Sequence, residues 1–499
     1  MGRKIPLWQA FLSILFTIIA LMYCLGVFGM IFGKAWACDY GEVHIALICS
    51  AIFASIIAIL NGYKWSFLEA GILASINRSM QAILILAVVG CLIGSWIAAG
   101  VVPAMIYYGL MILKPSIFLF AGCILCLIVS IATGSSWTTA GTIGIALIGV
   151  GAGLGVNPAM TAGAVVSGGY FGDKMSPLSD TTNLAPAMAG STLFDHIRHM
   201  VFTVTPSICI ALVIYLILGF KVNNKEVDMS AVTEMQKALT DNFNINLWLL
   251  IPPCVVIAIV ALKTPAIPGL IGGTALGCIF GSIFNGVTLA EWPNYLHYGF
   301  EFSDPDSVMP QIVDLLTRGG MNSMMWTINL ILCAMCFGGV MDASGQLGAI
   351  AEVMLKIAKG TGGLVTATIL TCIFMNIIAG DQYLSIVLPG RMYKTAFEDR
   401  KLAPKNLSRC LEDAGTITSC LVPWNTCGAT MQTFLTVKTW GGPGGGYGRW
   451  AFLNWINPLV SIFYGFTGIT MEKMTDEQYA KILEERKREQ EEALEAAQA

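Results

Sequence analysis

The feature that most constrains this chain is a series of apolar runs, several of which are about as long as a lipid bilayer is thick. Residues 10 to 32 form an uncharged run of 23, and a hydrocarbon core needs about 20 helical residues to span it. Further apolar runs fall near 43–60, 79–100, 116–133, 137–155, 159–171, 200–220, 245–261, 267–284, 324–344, 362–379, 382–390, 410–421, 427–437 and 448–467. Composition agrees: 56% hydrophobic residues against 12% charged do not suit a water-soluble surface. The charges are also unevenly placed. Residues 471–499 carry a formal −4 of the chain's −3, which leaves the preceding 470 residues near +1. The chain therefore reads as an all-α polytopic membrane protein with a solvated charged tail and no basic footprint for nucleic acid.

Two signals point elsewhere and are outweighed. Ala35-Trp36-Ala37 imitates a signal-peptidase site, but the preceding run is too long for a signal peptide and many spans follow, so it reads as a retained first helix. Cys123/Cys126 and Cys333/Cys336 have C-x-x-C spacing but lie in apolar helices with no His nearby, so they read as small packing residues.

Several apolar runs are too short to cross alone, and polar, Gly- or Pro-containing stretches separate them. Irregular backbone at membrane depth is tolerated only where protein or a water-filled cavity satisfies the freed polar groups. In the first half these stretches are 133–139 (TGSSWTT) and 172–183 (GDKMSPLSDTTN); in the second they are 379–383 (AGDQY) and 423–428 (PWNTCG). Gly134 and Gly380 are 246 residues apart, as are Pro177 and Pro423, and a shift of 245 lays Ala98-Ala99-Gly100 on Ala343-Ser344-Gly345. The spacing predicts two copies of one unit.

Charge placement sets their relative orientation. The segment 391–409 holds Arg391, Lys394, Arg400, Lys401, Lys405 and Arg409, whereas its counterpart 145–163 holds no charge. By the positive-inside rule these equivalent loops face opposite sides, and both termini lie in the cytoplasm. The expected architecture is two inverted repeats, 1–220 and 245–467, joined by an extracytoplasmic linker at 221–244 and followed by a cytoplasmic tail at 468–499. Each repeat would contribute five crossings, one of them broken, and one re-entrant hairpin, giving about ten crossings, two hairpins and two broken helices.

Broken helices present unpaired carbonyls and N–H groups at mid-membrane, where carbonyl ends favour a cation. Hydroxyls and amides crowd the same stretches: Ser135, Ser136, Thr138, Ser176, Ser179, Thr181 and Asn183 from the first copy, and Thr418, Asn425 and Thr426 from the second. Such oxygens suit an alkali cation and are poor ligands for soft transition metals. Carboxylates are scarcer. Asp173, Asp180, Asp381 and Asp413 lie in or beside the breaks, where an unpaired charge costs about 2.5 to 3.5 kcal/mol on the lenient insertion scale. A carboxylate that exchanges a proton for a metal ion meets that constraint in both states, which points to proton/cation antiport. The competing reading of Asp173 is a salt bridge with the adjacent Lys174 at a helix end. His196 and His199, beside Arg198, read as solvated loop residues. An intramembrane hydrolase is disfavoured because no His falls in the breaks and no H-e-x-x-H motif occurs; buried carboxylates within an inverted repeat favour a carrier over a channel.

The segments 134–144 (GSSWTTAGTIG) and 167–186 (SGGYFGDKMSPLSDTTNLAP) resemble the NhaC-type sodium/proton antiporter family, which includes sodium-lactate/proton-malate exchangers, and the likeness extends over residues 5–467. The resemblance implies a bacterial inner-membrane secondary antiporter. Its transport site would be formed by 173–183, the tip at 134–139 and their partners around Asp381 and Asn425. Sodium and protons would be cargo, with Na+ at Asp180, Asp381 and neighbouring hydroxyls. The alternative is an exchanger of small carboxylates such as malate or lactate coupled to Na+ and H+. No enzyme activity and no resident cofactor are expected; the partners are the two ions, the lipid bilayer and a second copy of the chain in a homodimer.

Overall fold

A computed structural model describes residues 3–26, 28, 38, 40, 42–223, 229–262 and 265–484. The Ala35-Trp36-Ala37 motif, the end of the expected first span and residues 485–499 of the tail lie outside them. The described chain is almost wholly helical; its only extended pairings are isolated bridges at Phe300/Arg318 and Leu402/Lys473.

Helices α1 (Leu7–Cys24) and α2 (His44–Leu60) precede α3 (Trp65–Ala98), α4 (Val101–Ile112) and α5 (Pro115–Thr133). A short α6 (Ser136–Thr139) passes through a π turn at Ala140–Gly144 into α7 (Ile145–Gly153), followed by α8 (Pro158–Met175), α9 (Asp180–Ala189) and α10 (Leu193–Asn223). The segment 221–244, expected as a linker, holds α11 (Met229–Asn242); α12 (Ile251–Ala261) and α13 (Ala266–Phe284) follow. Residues 285–323, for which the apolar pattern predicts nothing, fold as short helices α14 (Trp292–Tyr298), α15 (Pro310–Leu316) and α16 (Gly320–Ser323). Of these, α14 and α16 pack on α3.

The second half then reads α17 (Met325–Ala343), α18 (Gln346–Ile357), α19 (Gly360–Ala379), α20 (Gln382–Glu398), α21 (Pro404–Leu411), α22 (Thr426–Leu435) and α23 (Phe452–Thr467). Between α21 and α22 lie a π turn at Glu412–Thr416 and a 3-10 turn at Ser419–Leu421. The starts of α4, α5, α6, α8 and α9 at residues 101, 115, 136, 158 and 180 recur as the starts of α18 to α22 at 346, 360, 382, 404 and 426, an offset of 245 or 246.

Seven of the described helices are long and apolar enough to cross a membrane, or eight if a pair bent by 98° near residues 243–246 counts as one span. At 34 residues α3 is about 50 Å long, well beyond a 30 Å hydrocarbon core.

The distribution of polarity is that of a protein in lipid. On α1, Phe11, Leu15, Ile18 and Ile19 point outward at helical spacing, while Ser13 and Thr17 are buried. On α23, Trp455, Leu459, Phe463 and Phe466 face out, and Asn454, Asn457 and Ser461 face in. Small residues let the inner helices approach closely. A Cβ on Gly168 of α8 would stand 2.3 Å from the Cys123 carbonyl oxygen on α5, and one on Gly172 only 2.2 Å from the Ile131 nitrogen. Cys123 and Cys126 line this contact as free, fully buried packing residues.

Candidate functional site

The two hairpin tips are built alike. Gly134 ends α5 with φ 67°, and Gly380 ends α19 with φ 66°, a left-handed conformation natural to glycine. The following residue is extended in each case and caps the next helix. Ser135 accepts from the Thr138 N–H at 3.2 Å, and Asp381 accepts from the N–H groups of Tyr383 and Leu384 at 2.6 and 3.0 Å. The broken helices restart similarly: Ser179 is the extended residue before α9, and Asn425 caps α22 by accepting from the Cys427 N–H at 3.0 Å. Each tip touches the break of its own half. The Thr426 N–H donates to the Gly380 carbonyl at 2.9 Å, and a Cβ on Gly134 would lie 2.6 Å from the Leu178 Cβ.

Around the first break, Asp173 is buried and accepts from the Ser136 hydroxyl at 2.5 Å and the Ser179 hydroxyl at 2.7 Å. Ser179 and Thr181 share a hydroxyl contact at 3.2 Å, so tip, broken helix and restart meet on one carboxylate. The Thr138 hydroxyl is buried without a hydrogen-bond partner. Ser176 and Asn183 serve the turn itself: the Leu178 N–H donates to Ser176 Oγ at 3.3 Å, and the Asn183 amide donates to the Ser179 carbonyl at 2.7 Å.

Asp180 is exposed at the start of α9 and accepts from the Tyr383 hydroxyl of the second tip, which joins the two halves. Asp381 is buried and also accepts from Ser79 Oγ on α3 at 3.0 Å. Around the second break, Asn376 Nδ2 donates to the Gly415 carbonyl at 2.7 Å and to Thr418 Oγ1 at 3.1 Å, while Asn425 Nδ2 donates to Asn376 Oδ1 at 3.1 Å. The Thr426 hydroxyl donates to Asn425 Oδ1 at 3.3 Å.

Asp413 stands apart from these groups. Lys174 Nζ donates to its Oδ1, which also accepts from Thr203 Oγ1 at 2.9 Å and Asn457 Nδ2 at 2.8 Å; Arg409 Nε lies 3.6 Å from Oδ2. Lys174, Arg409 and Asp413 are all fully buried. Lys174 thus pairs with Asp413 instead of its neighbour Asp173. Consecutive helical residues point about 100° apart, so Asp173 faces the hairpin tip while Lys174 faces the π turn at Glu412–Thr416. The histidines also depart from expectation. Because α10 begins at Leu193, His196 and His199 are helical and buried; they bond Ser408 Oγ at 2.8 Å and Asn406 Oδ1 at 3.2 Å.

Sequence reasoning overlooked Ser79, Tyr383, Arg409 and Glu412. Arg409 and Asp413, four residues apart and so on one helical face, were a readable signal; the Ser79 and Tyr383 contacts join residues more than 200 positions apart and leave none.

A family model described as the Na+/H+ antiporter family matches residues 168–469. The chain is 37% identical over 434 residues to the Na+/H+ antiporter NhaC of Alkalihalophilus pseudofirmus, covering 87% of this chain and 92% of that one. It is 36% identical over 426 residues to the malate-2H+/Na+-lactate antiporter of Bacillus subtilis, covering 85% and 89%. It is 34% identical over 433 residues to the arginine/ornithine antiporter ArcD of Halobacterium salinarum, covering 86% and 88%. On this similarity, which spans nearly the whole membrane body, the chain belongs to the Na+/H+ antiporter family.

Proposed function

We propose that this protein exchanges Na+ for H+ by alternating access. The single observation that carries this reading is the meeting of hairpin tips and broken helices around few carboxylates. Asp173 is shared by Ser136 and Ser179, Asp180 is held by Tyr383 of the other half, and Asp381 caps the second tip. Asp180 and Asp381 are the titrating ligands of Na+ in this reading, with Asp173 and the hydroxyls of Ser135, Ser136, Thr138, Ser179, Thr181, Thr418 and Thr426 supplying further oxygens. Asp413 neutralises Lys174 and holds no transported ion.

The architecture we infer is two inverted repeats, 1–220 and 245–467, joined through 221–244, with ten crossings and two re-entrant hairpins. An odd number of crossings per copy inverts the second automatically and gives one site two alternating openings. The protein sits in the bacterial inner membrane with both termini in the cytoplasm, and a homodimer is its assembly.

The second reading, a Na+- and H+-coupled exchanger of malate or lactate, is favoured by the malate-2H+/Na+-lactate relative. Against it, the buried cations at the break, Lys174 and Arg409, both face Asp413 and are not free to receive a substrate carboxylate. Labelled Na+, malate and lactate uptake compared in the same proteoliposomes separates the two. Proton-coupled Na+ movement without organic acid supports the first reading; Na+ movement that requires malate or lactate overturns it in favour of the second.

A further inference from the structure

Among the described residues, Glu412 is the one buried carboxylate near the breaks that no role described above uses. It is fully buried, and neither carboxyl oxygen has a hydrogen-bond partner. It opens the π turn Glu412–Thr416, where α8 and α9 of the first half meet α19, α20 and α23 of the second. Such turns often mark functional positions, because the inserted residue redirects side chains and frees backbone groups. Asp173 and Lys174 both act on Glu412 electrostatically. The hydroxyls of Thr181 and Thr416 stand beside its carboxyl, yet neither meets the geometry of a hydrogen bond to it, and the Thr416 hydroxyl is itself unpartnered.

Charge counting shows what is missing. With every group ionised, Asp173, Glu412 and Asp413 would carry three negative charges against two positive ones on Lys174 and Arg409, all of them buried. Because Asp413 is committed to Lys174 and faces Arg409, the uncompensated charge falls between Asp173 and Glu412. An uncompensated buried charge is costly in a low-dielectric interior, so this pair must take up either a proton or a cation. Two carboxylates flanked by hydroxyls form a set of hard oxygen donors, which suits a monovalent alkali cation.

We propose that Glu412, with the hydroxyls of Thr181 and Thr416, joins Asp173 in the Na+ seat of the antiport site, and that the Lys174–Asp413 pair is its fixed wall. The inference rests on the antiport reading and deepens it by naming a ligand on the second broken helix that faces the first.

The test is Na+-dependent thermal stabilisation of the purified full-length protein, titrating NaCl against choline chloride at constant ionic strength, with exchange measured in proteoliposomes. In wild type, Na+ raises the melting temperature. E412Q is expected to need at least about tenfold more Na+ for the same shift, and T416V a smaller increase. An unchanged Na+ dependence in E412Q overturns the proposal. Should E412Q fail to fold, E412D and T416V decide: displacement of the Na+ midpoint in either supports the seat, and wild-type behaviour in both overturns it. Wild-type protein that neither binds nor exchanges Na+ removes the antiport reading itself; wild-type exchange with an undisturbed E412Q removes only the seat.

Discussion

Lys174 and Asp413 form the most demanding contact among single residues. Both are fully buried and donate or accept across the interface of the two halves. Removing one partner strands the other charge, so Lys174→Ala or Asp413→Ala should each cost about 3–5 kcal/mol, while the double replacement Lys174→Met/Asp413→Leu should recover part of that loss, the rest remaining because Arg409 also loses its carboxylate. Melting curves of the three purified variants check it; a double mutant no more stable than the singles would contradict the pairing. Asp180 behaves oppositely because it is exposed. Asp180→Asn should leave folding and membrane insertion intact while abolishing coupled exchange, and Tyr383→Phe should weaken exchange less, since it removes only the hydroxyl that holds the carboxylate. Asp173, Asp180 and Asp381 were legible in the sequence because charges are scarce there and cluster at interruptions. The partner of Lys174 was not, because it lies 239 residues away and only folding brings it near.

At the scale of the element, the interruptions were legible for the same reason that they are structurally distinct. Gly134 and Gly380 both take left-handed backbone, and the residue after each becomes a helix cap. Strain and space can be separated by comparing glycines. Gly345 has φ 75° with open space around it, so Gly345→Ala should cost about 1–2 kcal/mol from backbone strain alone. Gly134→Ala adds a contact with Leu178, and its loss should reach about 2–5 kcal/mol. Equal melting temperatures for the two variants would refute the close contact of tip and break.

What periodicity could not predict is the tail's attachment. The Ala403 N–H donates to the Glu472 carbonyl at 3.0 Å and the Met474 N–H to the Lys401 carbonyl at 2.8 Å, with ion pairs Lys401–Asp476 and Lys405–Glu472 alongside. Lys401 holds the Asp476 carboxyl below its ordinary 3.8, so that contact is present above this value and fades as pH falls further. Asp476 raises Lys401 above its ordinary 10.5, so the pair is lost only as pH rises beyond that. Between about pH 5 and 9 the strap is therefore constant. Asp476→Asn should speed hydrogen exchange at 401–406 and leave the pH profile of transport unmoved; a displaced profile would make the strap a pH sensor.

For the whole molecule, the outward faces of helices such as α1 and α23 are Leu, Ile, Phe and Trp, and the interior is mainly apolar with buried Ser, Thr and Asn set into it. The membrane-spanning class was readable from hydropathy. The packing of α14 and α16 on α3 was not, because these short helices are neither long nor apolar enough to stand out and depend on the surface they cover. Placing the breaks at the junction of both halves gives the central claim: a cation and a proton compete for carboxylates there.

The most direct test is proton movement in proteoliposomes with an imposed pH gradient, followed by a pH-sensitive dye while Na+ is added at values between about pH 6 and 9. Wild-type protein is expected to dissipate the gradient in a saturable, Na+-dependent manner, and Asp180→Asn is expected not to. Absence of Na+-dependent proton movement in wild type, or equal movement in the variant, would contradict it.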